Sequence, residues 1–321
     1  MDGAPSALFN ALLTVTPGML SRSMATAPTL LLDSPSLVYR AYFALPNTIR
    51  SPAGRAVNAV RGYLDMATRL LVDRRPGGMV HAFDVDWRPA FRVAAYPGYK
   101  ANRRPDPPDL PWQFELIREA LDAAGAVIAG AEGYEADDVI GTLATRATTE
   151  MPVEVVTGDR DLLQLVRDPA VAVLFTVRGV TELHRYDEAA VRARYGVPAQ
   201  HYADMAIIRG DPSDGLPGLR GLGEKTAVRL VAEHGSLDAV EAWAAQAPGQ
   251  AAGAVRAGRE YLDAMRLVVP VVCDLELSMT APHPPDRGRL ARLAAEHAID
   301  APIDRLLAAL EHAPAAPTPP G

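Results

Sequence analysis

Three short apolar runs in this chain end alike. "TLLLD" (29–33), "MVHAFD" (79–84) and "VEVVTGDRD" (153–161) each read as a buried strand, and each runs into aspartate. The runs are apolar on consecutive residues rather than alternating, so both faces of each strand must be covered. Helical patterns lie between them. "LPWQFELIREALDAAG" places Trp112, Leu116, Ile117, Ala120, Leu121 and Ala124 on one face and closes at Gly125. Strands alternating with helices predict a mainly parallel central sheet flanked by helices. In such a sheet, ligands gather at the carboxyl ends of the strands.

The aspartates then acquire an address. Asp33 ends the first strand and Asp84 the second, while Asp159 and Asp161 follow "VEVV". Glu135, Asp137 and Asp138 open the helix "GYEADDVIGTLATRAT", which follows the short strand "AVIAG". Asp211 and Asp214 in "GDPSDG" can join them from a later region. At about 100° per residue, Glu135 and Asp138 stand roughly 60° apart while Asp137 points elsewhere. One acid at a helix start is explained by capping and the helix dipole. Nine on one rim are not, because clustered carboxylates raise one another's pKa. Among these carboxylates the only interposed cation is Arg160, which makes divalent metal the economical neutraliser. Oxygen ligands without neighbouring His or Cys favour Mg²⁺ or Mn²⁺ over zinc. A pair of ions about 4 Å apart can activate water and stabilise the leaving oxygen of a phosphodiester.

Composition narrows the class. The chain has 321 residues, 49% of them hydrophobic, enough for one large or two modest domains. A single cysteine, Cys273, excludes an intrachain disulfide and fits a reducing cytoplasm. No apolar run reaches the roughly 18 residues of a membrane span, and the N-terminus lacks the basic start of a secretory signal. Residues 1–27 carry no clear periodicity and read as a disordered extension. Met24, just before "ATAPTLLLD", is a plausible internal start that would make residues 1–23 dispensable. The tail 313–321 is Pro/Ala-rich and also reads as disordered.

The net charge of −7 argues mildly against a nucleic-acid partner until its distribution is read. The stretch "WRPAFRVAAYPGYKANRRP" (87–105) holds Arg88, Arg92, Lys100, Arg103 and Arg104 and no acid, interleaved with Trp87, Phe91, Tyr96 and Tyr99. Cations bind phosphates and aromatic faces stack on bases; a solvated loop with buried aromatics explains this stretch alone equally well. "GLRGLGEKTAVRL" (218–230) sets Gly221 and Gly223 before a helix containing Lys225. Backbone N–H groups at such a turn can hold a phosphate, although many glycine turns only join two helices. From about Tyr195 the chain reads as short helices joined by Gly/Pro turns. "LVVPVVCDLEL" (267–277) is a late strand-like run that can return to the sheet.

In this order, "LLLDSPSLVYRAYFALP", "AFDVDWRPAFRVAAYPGYKANR", "GYEADDVIGTLA", "VVTGDRDLLQLV" and "GDPSDGLPGLRGLGEKTA" resemble the bacterial 5′-3′ exonucleases. They are similar to the N-terminal nuclease domain of DNA polymerase I and, more distantly, to flap endonucleases. The match runs from about residue 28 to 235. The resemblance implies a PIN-like α/β nuclease domain over 28–195 with a helical arch near 88–115. A helical DNA-binding region with a helix–three-turn–helix element and a C-terminal return would occupy 196–312. It implies a monomer that hydrolyses DNA at 5′ ends, flaps and junctions, with activity on RNA–DNA duplexes, in replication and repair. Asp33, Asp84, Glu135, Asp137 and Asp138 would serve one metal; Asp159, Asp161, Asp211 and Asp214 would serve the second. Lys100 matches a lysine that contacts the scissile phosphate, with Arg103 beside it in the catalytic group. Arg92, Tyr99, Arg104, Gly221, Gly223 and Lys225 would contact DNA, Tyr99 by stacking on the terminal base. The element at 218–230 would also take a monovalent cation such as K⁺. Two residues depart from the family pattern: Ser34 replaces a glycine after the first aspartate, and Gly215 replaces the asparagine of "SDN".

Two other functions compete. A DNA-junction binding module with little catalysis would not need nine carboxylates. A small PIN-type ribonuclease shares the acidic edge but normally lacks the "GLGEKTA" region.

Overall fold

The computed structural model describes residues 27–312. The expected N-terminal extension through residue 26 and the tail 313–321 lie outside the described residues.

Seven strands form one sheet in the order β6-β5-β4-β1-β2-β3-β7. They are β1 Thr29–Asp33, β2 Gly78–Ala82, β3 Val127–Gly130, β4 Val153–Thr157, β5 Val171–Thr176, β6 Leu183–Tyr186 and β7 Ser278–Met279. The five central strands are parallel, and β6 and β7 run antiparallel at the two edges. This is the expected class, a mainly parallel sheet flanked by helices. β1 lies between β2 and β4, so the direction of winding reverses at β1/β4, where a crevice opens beyond the strand ends.

Alternate residues of the central strands feed two cores. Leu31, Val80, Val155 and Val173 face one, with the helix α5 Ala136–Thr145 and the helical second region. Leu30, Leu32, Val156 and Leu174 face the other, with helices α1 Ser34–Ala44, α2 Asn58–Arg74 and α4 Pro111–Ala123. Leu30, Leu31 and Leu32 are all fully buried, worth about 1.5–3 kcal/mol apiece relative to exposure. This two-sided burial is why the strands read as unbroken apolar runs.

Helix ends place the chemistry. Asp33 is the N-cap of α1 and accepts from the Ser36 amide at 3.2 Å. Glu135 is the N-cap of α5, and its amide donates to Asp138 Oδ2 at 3.2 Å.

Two local expectations need correction. The 88–115 segment holds only the short helix α3 Ala90–Ala95 before α4; residues 96–110 form turns, because Pro97, Pro105, Pro107 and Pro108 interrupt helical hydrogen bonding. The segment after "VVTGD" is a five-residue 3₁₀ helix, Asp161–Leu165. "LVVPVVCDLEL" is not a strand. Its first residues end a helix at Val268, and only Ser278–Met279 reach the sheet. Pro270 breaks the run, and the amides of Val271, Val272 and Leu275 donate to side chains of Gln164, Asp138 and Thr142 instead of to a strand.

Candidate active site

Five of the nine predicted carboxylates, Asp33, Asp84, Asp137, Asp159 and Asp161, meet at the crevice beyond the strand ends, and a turn of the helical region brings Asp211 and Asp214 to them. They divide by environment. Asp33 accepts from the Thr157 hydroxyl at 2.5 Å. Asp84 accepts from the Ala136 amide at 2.7 Å, and its carbonyl accepts from Arg118 at 2.9 Å. Asp159 accepts from the Asp161 amide at 2.9 Å. Asp137 and Asp161 receive no side-chain hydrogen bond from a protein donor among the described residues.

Charge proximity shows which acids share space. Burial drives Asp33 up to about 7 against the pull of the Thr157 hydroxyl, and the charges of Asp159 and Asp84 add to the rise. Burial, then the charges of Asp159 and Asp33, push Asp137 well above the usual carboxylate range. Burial, then Asp159, Asp211 and Asp214, does the same to Asp161. Burial also raises Asp84 and Asp159, opposed by their backbone hydrogen bonds. Two adjoining neighbourhoods result: Asp33, Asp84 and Asp137, then Asp161, Asp211 and Asp214, with Asp159 acting on both.

Glu135 and Asp138 belong elsewhere. Asp138 is fully buried. Its two oxygens accept from Arg92 Nη2 and Nη1, both at 2.7 Å, and also from the amides of Val272 and Glu135. Glu135 accepts from Arg92 at 2.8 Å, from the Tyr99 hydroxyl at 2.7 Å and from the Lys100 ammonium. The split follows helix geometry: Glu135 and Asp138 share a face toward Arg92, while Asp137 faces the other aspartates.

Several expectations therefore change. Arg160 is exposed, whereas Arg92, Lys100 and Arg103 are the cations among the acids. Arg92 is 2% exposed and cannot be a surface phosphate contact. It also donates to the carbonyls of Val268 and Pro270, joining the end of the helical region to α5. Tyr99 is buried with its hydroxyl engaged, so its ring is not open for stacking. Asp138 has its lone pairs occupied by protein donors, which removes it from the ligand set. A surface basic stretch in sequence gave no sign that its middle arginine turns inward.

Lys100 adopts a left-handed backbone, φ 53°, unusual for a residue with a side chain. Its amide donates to the Asp214 carbonyl at 2.8 Å, and Asn102 donates to the Pro212 carbonyl at 2.8 Å. Arg103 pairs with Asp214 at 2.6 Å. The basic stretch is thus docked on "GDPSDG". Gly215 explains its own departure: at φ 75°, a Cβ there would lie 2.4 Å from the Gly98 carbonyl oxygen. Asp211 caps this turn, accepting from the Ser213 amide at 2.8 Å.

Ser34 is explained as well. Its hydroxyl meets Tyr63 at 2.7 Å, and Tyr63 meets His81 Nδ1 at 2.7 Å. Burial lowers His81 to about 3, so it stays neutral. This chain beneath Asp33, like Thr157 and Arg118, was missed from sequence. Thr157 alone carried a signal, standing directly before "GD".

Gly221 and Gly223 are exposed on the turn that enters helix α6 Glu224–His234, and Lys225 is exposed in its first turn. Gly221 has φ 82°, and a Cβ at Gly223 would meet open space. Arg220, Gly221 and Gln250 help line a cleft of about 440 Å³ there. Arg104 is exposed.

Among the described residues, no three His, Cys, Asp or Glu side chains are closed into a metal-binding geometry. The donor set nevertheless fits a hard divalent ion: all oxygen, with Asp137 and Asp161 hydrogen-bonded to no protein donor among the described residues and only partly offset by the charges of Lys100 and Arg209.

Residues 28–196 match the family model described as 5′-3′ exonuclease, N-terminal resolvase-like domain, and 197–286 match that described as 5′-3′ exonuclease, C-terminal SAM fold. The chain belongs to the 5′-3′ exonuclease family. A 5′-3′ exonuclease of Streptomyces coelicolor is 47% identical over 302 residues, covering 88% of this chain and 99% of that protein. DNA polymerase I of Mycobacterium bovis is 42% identical over 279 residues, 86% of this chain but 30% of that protein. The bacteriophage T5 flap endonuclease, solved as a pseudo-enzyme–product complex with DNA and metal ions, has a TM-score of 0.60 at 18% identity, covering 89% of this chain and 100% of that one. That likeness carries the fold. As a 5′-3′ exonuclease family member, the chain is a nuclease, a hydrolase.

Proposed function

We propose that this 5′-3′ exonuclease is a structure-specific nuclease that cleaves DNA at 5′ ends and flaps with two divalent ions, Mg²⁺ or Mn²⁺. The observation carrying this reading is the pair of crowded, donor-free carboxylates, Asp137 and Asp161, linked through Asp159. Asp33, Asp84, Asp137 and Asp159 would hold one ion, and Asp159, Asp161, Asp211 and Asp214 the other. When bound, such ions supply a nucleophilic hydroxide and charge stabilisation at the leaving oxygen.

The protein's own groups orient and hold. Thr157 and the Ser36 amide fix Asp33; the Ala136 amide fixes Asp84. Glu135 keeps Lys100 and Tyr99 in place, and Arg92 with Asp138 holds α5 so that Asp137 faces the crevice. Arg103, exposed beside Asp214, supplies positive charge for the scissile phosphate, with Lys100 buried behind it on Glu135. Arg104, Lys225 and the amides near Gly221 and Gly223 bind the DNA backbone. The same reading includes RNA–DNA duplexes as substrates, K⁺ at the glycine turn, and a cytoplasmic monomer.

The test is cleavage of 5′-labelled flap, nicked and single-stranded substrates with Mg²⁺ and with chelator. Flap cleavage in Mg²⁺ alone is expected, and product length reports where the cut falls. Tight junction binding without metal-dependent cleavage would favour the binding module.

A further inference from the structure

Trp87 stands three residues beyond Asp84 and is 51% exposed. The other two tryptophans have ring partners: Trp112 lies under Arg55 at 3.9 Å, and Trp243 stacks on His234 at 4.9 Å. Among the described residues, no ring or cation stacks on Trp87.

The loop that carries it is nonetheless locked on both sides. The amides of Val85 and Asp86 donate to the Tyr134 carbonyl at 3.2 and 3.1 Å. Arg88 donates to the carbonyls of Tyr99 at 2.6 Å and Pro97 at 2.8 Å. The Trp87 carbonyl accepts from Lys100 Nζ at 3.3 Å, the same ammonium that reaches Glu135. An apolar ring has been left open on a fixed loop beside the acidic crevice. Ordering it on binding costs little, because its backbone is already held.

We propose that Trp87 is the stacking platform for a base of the substrate's single-stranded 5′ segment. The inference rests on the nuclease reading and supplies the aromatic surface that buried Tyr99 does not. A nucleobase fits better than an apolar protein partner, because the stretch from 87 to 105 has no acid and keeps Arg103 and Arg104 at the surface. Arg103 and Arg104 are exposed to meet the phosphates of the same strand. Stacking accepts any base, as a nuclease that reads structure rather than sequence requires.

The experiment compares wild type, Trp87→Ala and Trp87→Phe in Ca²⁺, measuring affinity for a short oligo(dT), a 5′-flap and a blunt duplex. The alanine variant should lose about tenfold in affinity for oligo(dT) and flap and keep its duplex affinity; phenylalanine should retain most of both. Oligo(dT) should quench wild-type tryptophan emission, and the quench should vanish in Trp87→Phe. Unchanged oligo(dT) affinity in Trp87→Ala, an equal loss on blunt duplex, or a quench that persists in Trp87→Phe would overturn the proposal. If Trp87→Ala melts abnormally, the Trp87→Phe quench decides alone. Wild type that cleaves flaps while these results fail sinks only the platform. Wild type that shows the stacking signals but never cleaves sinks the nuclease reading and leaves the platform standing.

Discussion

Arg92 grips Asp138 through two parallel hydrogen bonds of 2.7 Å inside the protein. The pair sets the first prediction. Arg92→Ala leaves Asp138 buried without its counter-charge and Glu135 with Lys100 alone, and should destabilise by roughly 3–5 kcal/mol. Chemical unfolding reads the loss. The salt dependence of DNA affinity should be unchanged in any folded fraction. Neutralising exposed Arg104 or Lys225 should instead reduce the log–log salt slope by about 0.9 each on duplex. A changed slope for Arg92→Ala would return that residue to the surface.

The neighbours Asp137 and Asp138 should separate chemistry from folding. Asp138→Asn removes a charge that Arg92 and two amides hold, so melting temperature should fall. Asp137→Asn removes a charge crowded by Asp159, Asp33 and Asp84 and only partly offset by Lys100, so the metal-free protein should fold as well or better. Its Mg²⁺-dependent cleavage should collapse. Thermal melts in chelator and turnover in Mg²⁺ read both.

Metal-free stability should depend on pH in a definite direction. Asp33 rises from 3.8 unfolded to about 7 folded, and Asp84, Asp137, Asp159 and Asp161 are also raised. The folded state therefore binds more protons than the unfolded state. Stability from this cluster is full below the unfolded value and is lost as pH climbs through the folded values. In chelator, the melting temperature should fall between pH 5 and 8, and Mg²⁺ should restore it most at the upper end. A metal-free melting temperature that rises over that interval would contradict the crowded-carboxylate geometry.

Gly215→Asn would install the family's more usual residue. The added Cβ must displace the Gly98 carbonyl, at a cost of about 1–3 kcal/mol. The loss should appear in melting and in weaker docking of the Lys100 turn on "GDPSDG", read as slower hydrolysis.

Much of this was legible in sequence because it follows from local rules. Uniform apolar runs such as Leu30–Leu32 announced a doubly covered parallel sheet, and that sheet placed Asp33, Asp84 and Asp159 on one edge. Helix periodicity separated Asp137 from Glu135 and Asp138. What stayed hidden depends on long-range pairing. Arg92 looks like its surface neighbours in a basic stretch, yet it turns inward to Asp138, 46 residues away. Tyr63 and His81 gave no pattern because their link to Ser34 exists only after β1, β2 and α2 have packed. The run after Val268 read as strand because β-branched residues favour strands, but Pro270 and the side-chain acceptors of Asp138 and Gln164 decided otherwise.

Asp159 influences both carboxylate neighbourhoods, so its replacement tests the central claim most directly. The measurement is flap turnover by Asp159→Asn across a Mg²⁺ titration, with the metal-free melting temperature taken on the same sample. Because each ion supplies several kcal/mol to the transition state, turnover should fall by at least about a hundredfold at every Mg²⁺ concentration, in a protein that melts no earlier than wild type. Near-normal turnover at any point of the titration would contradict the two-ion site.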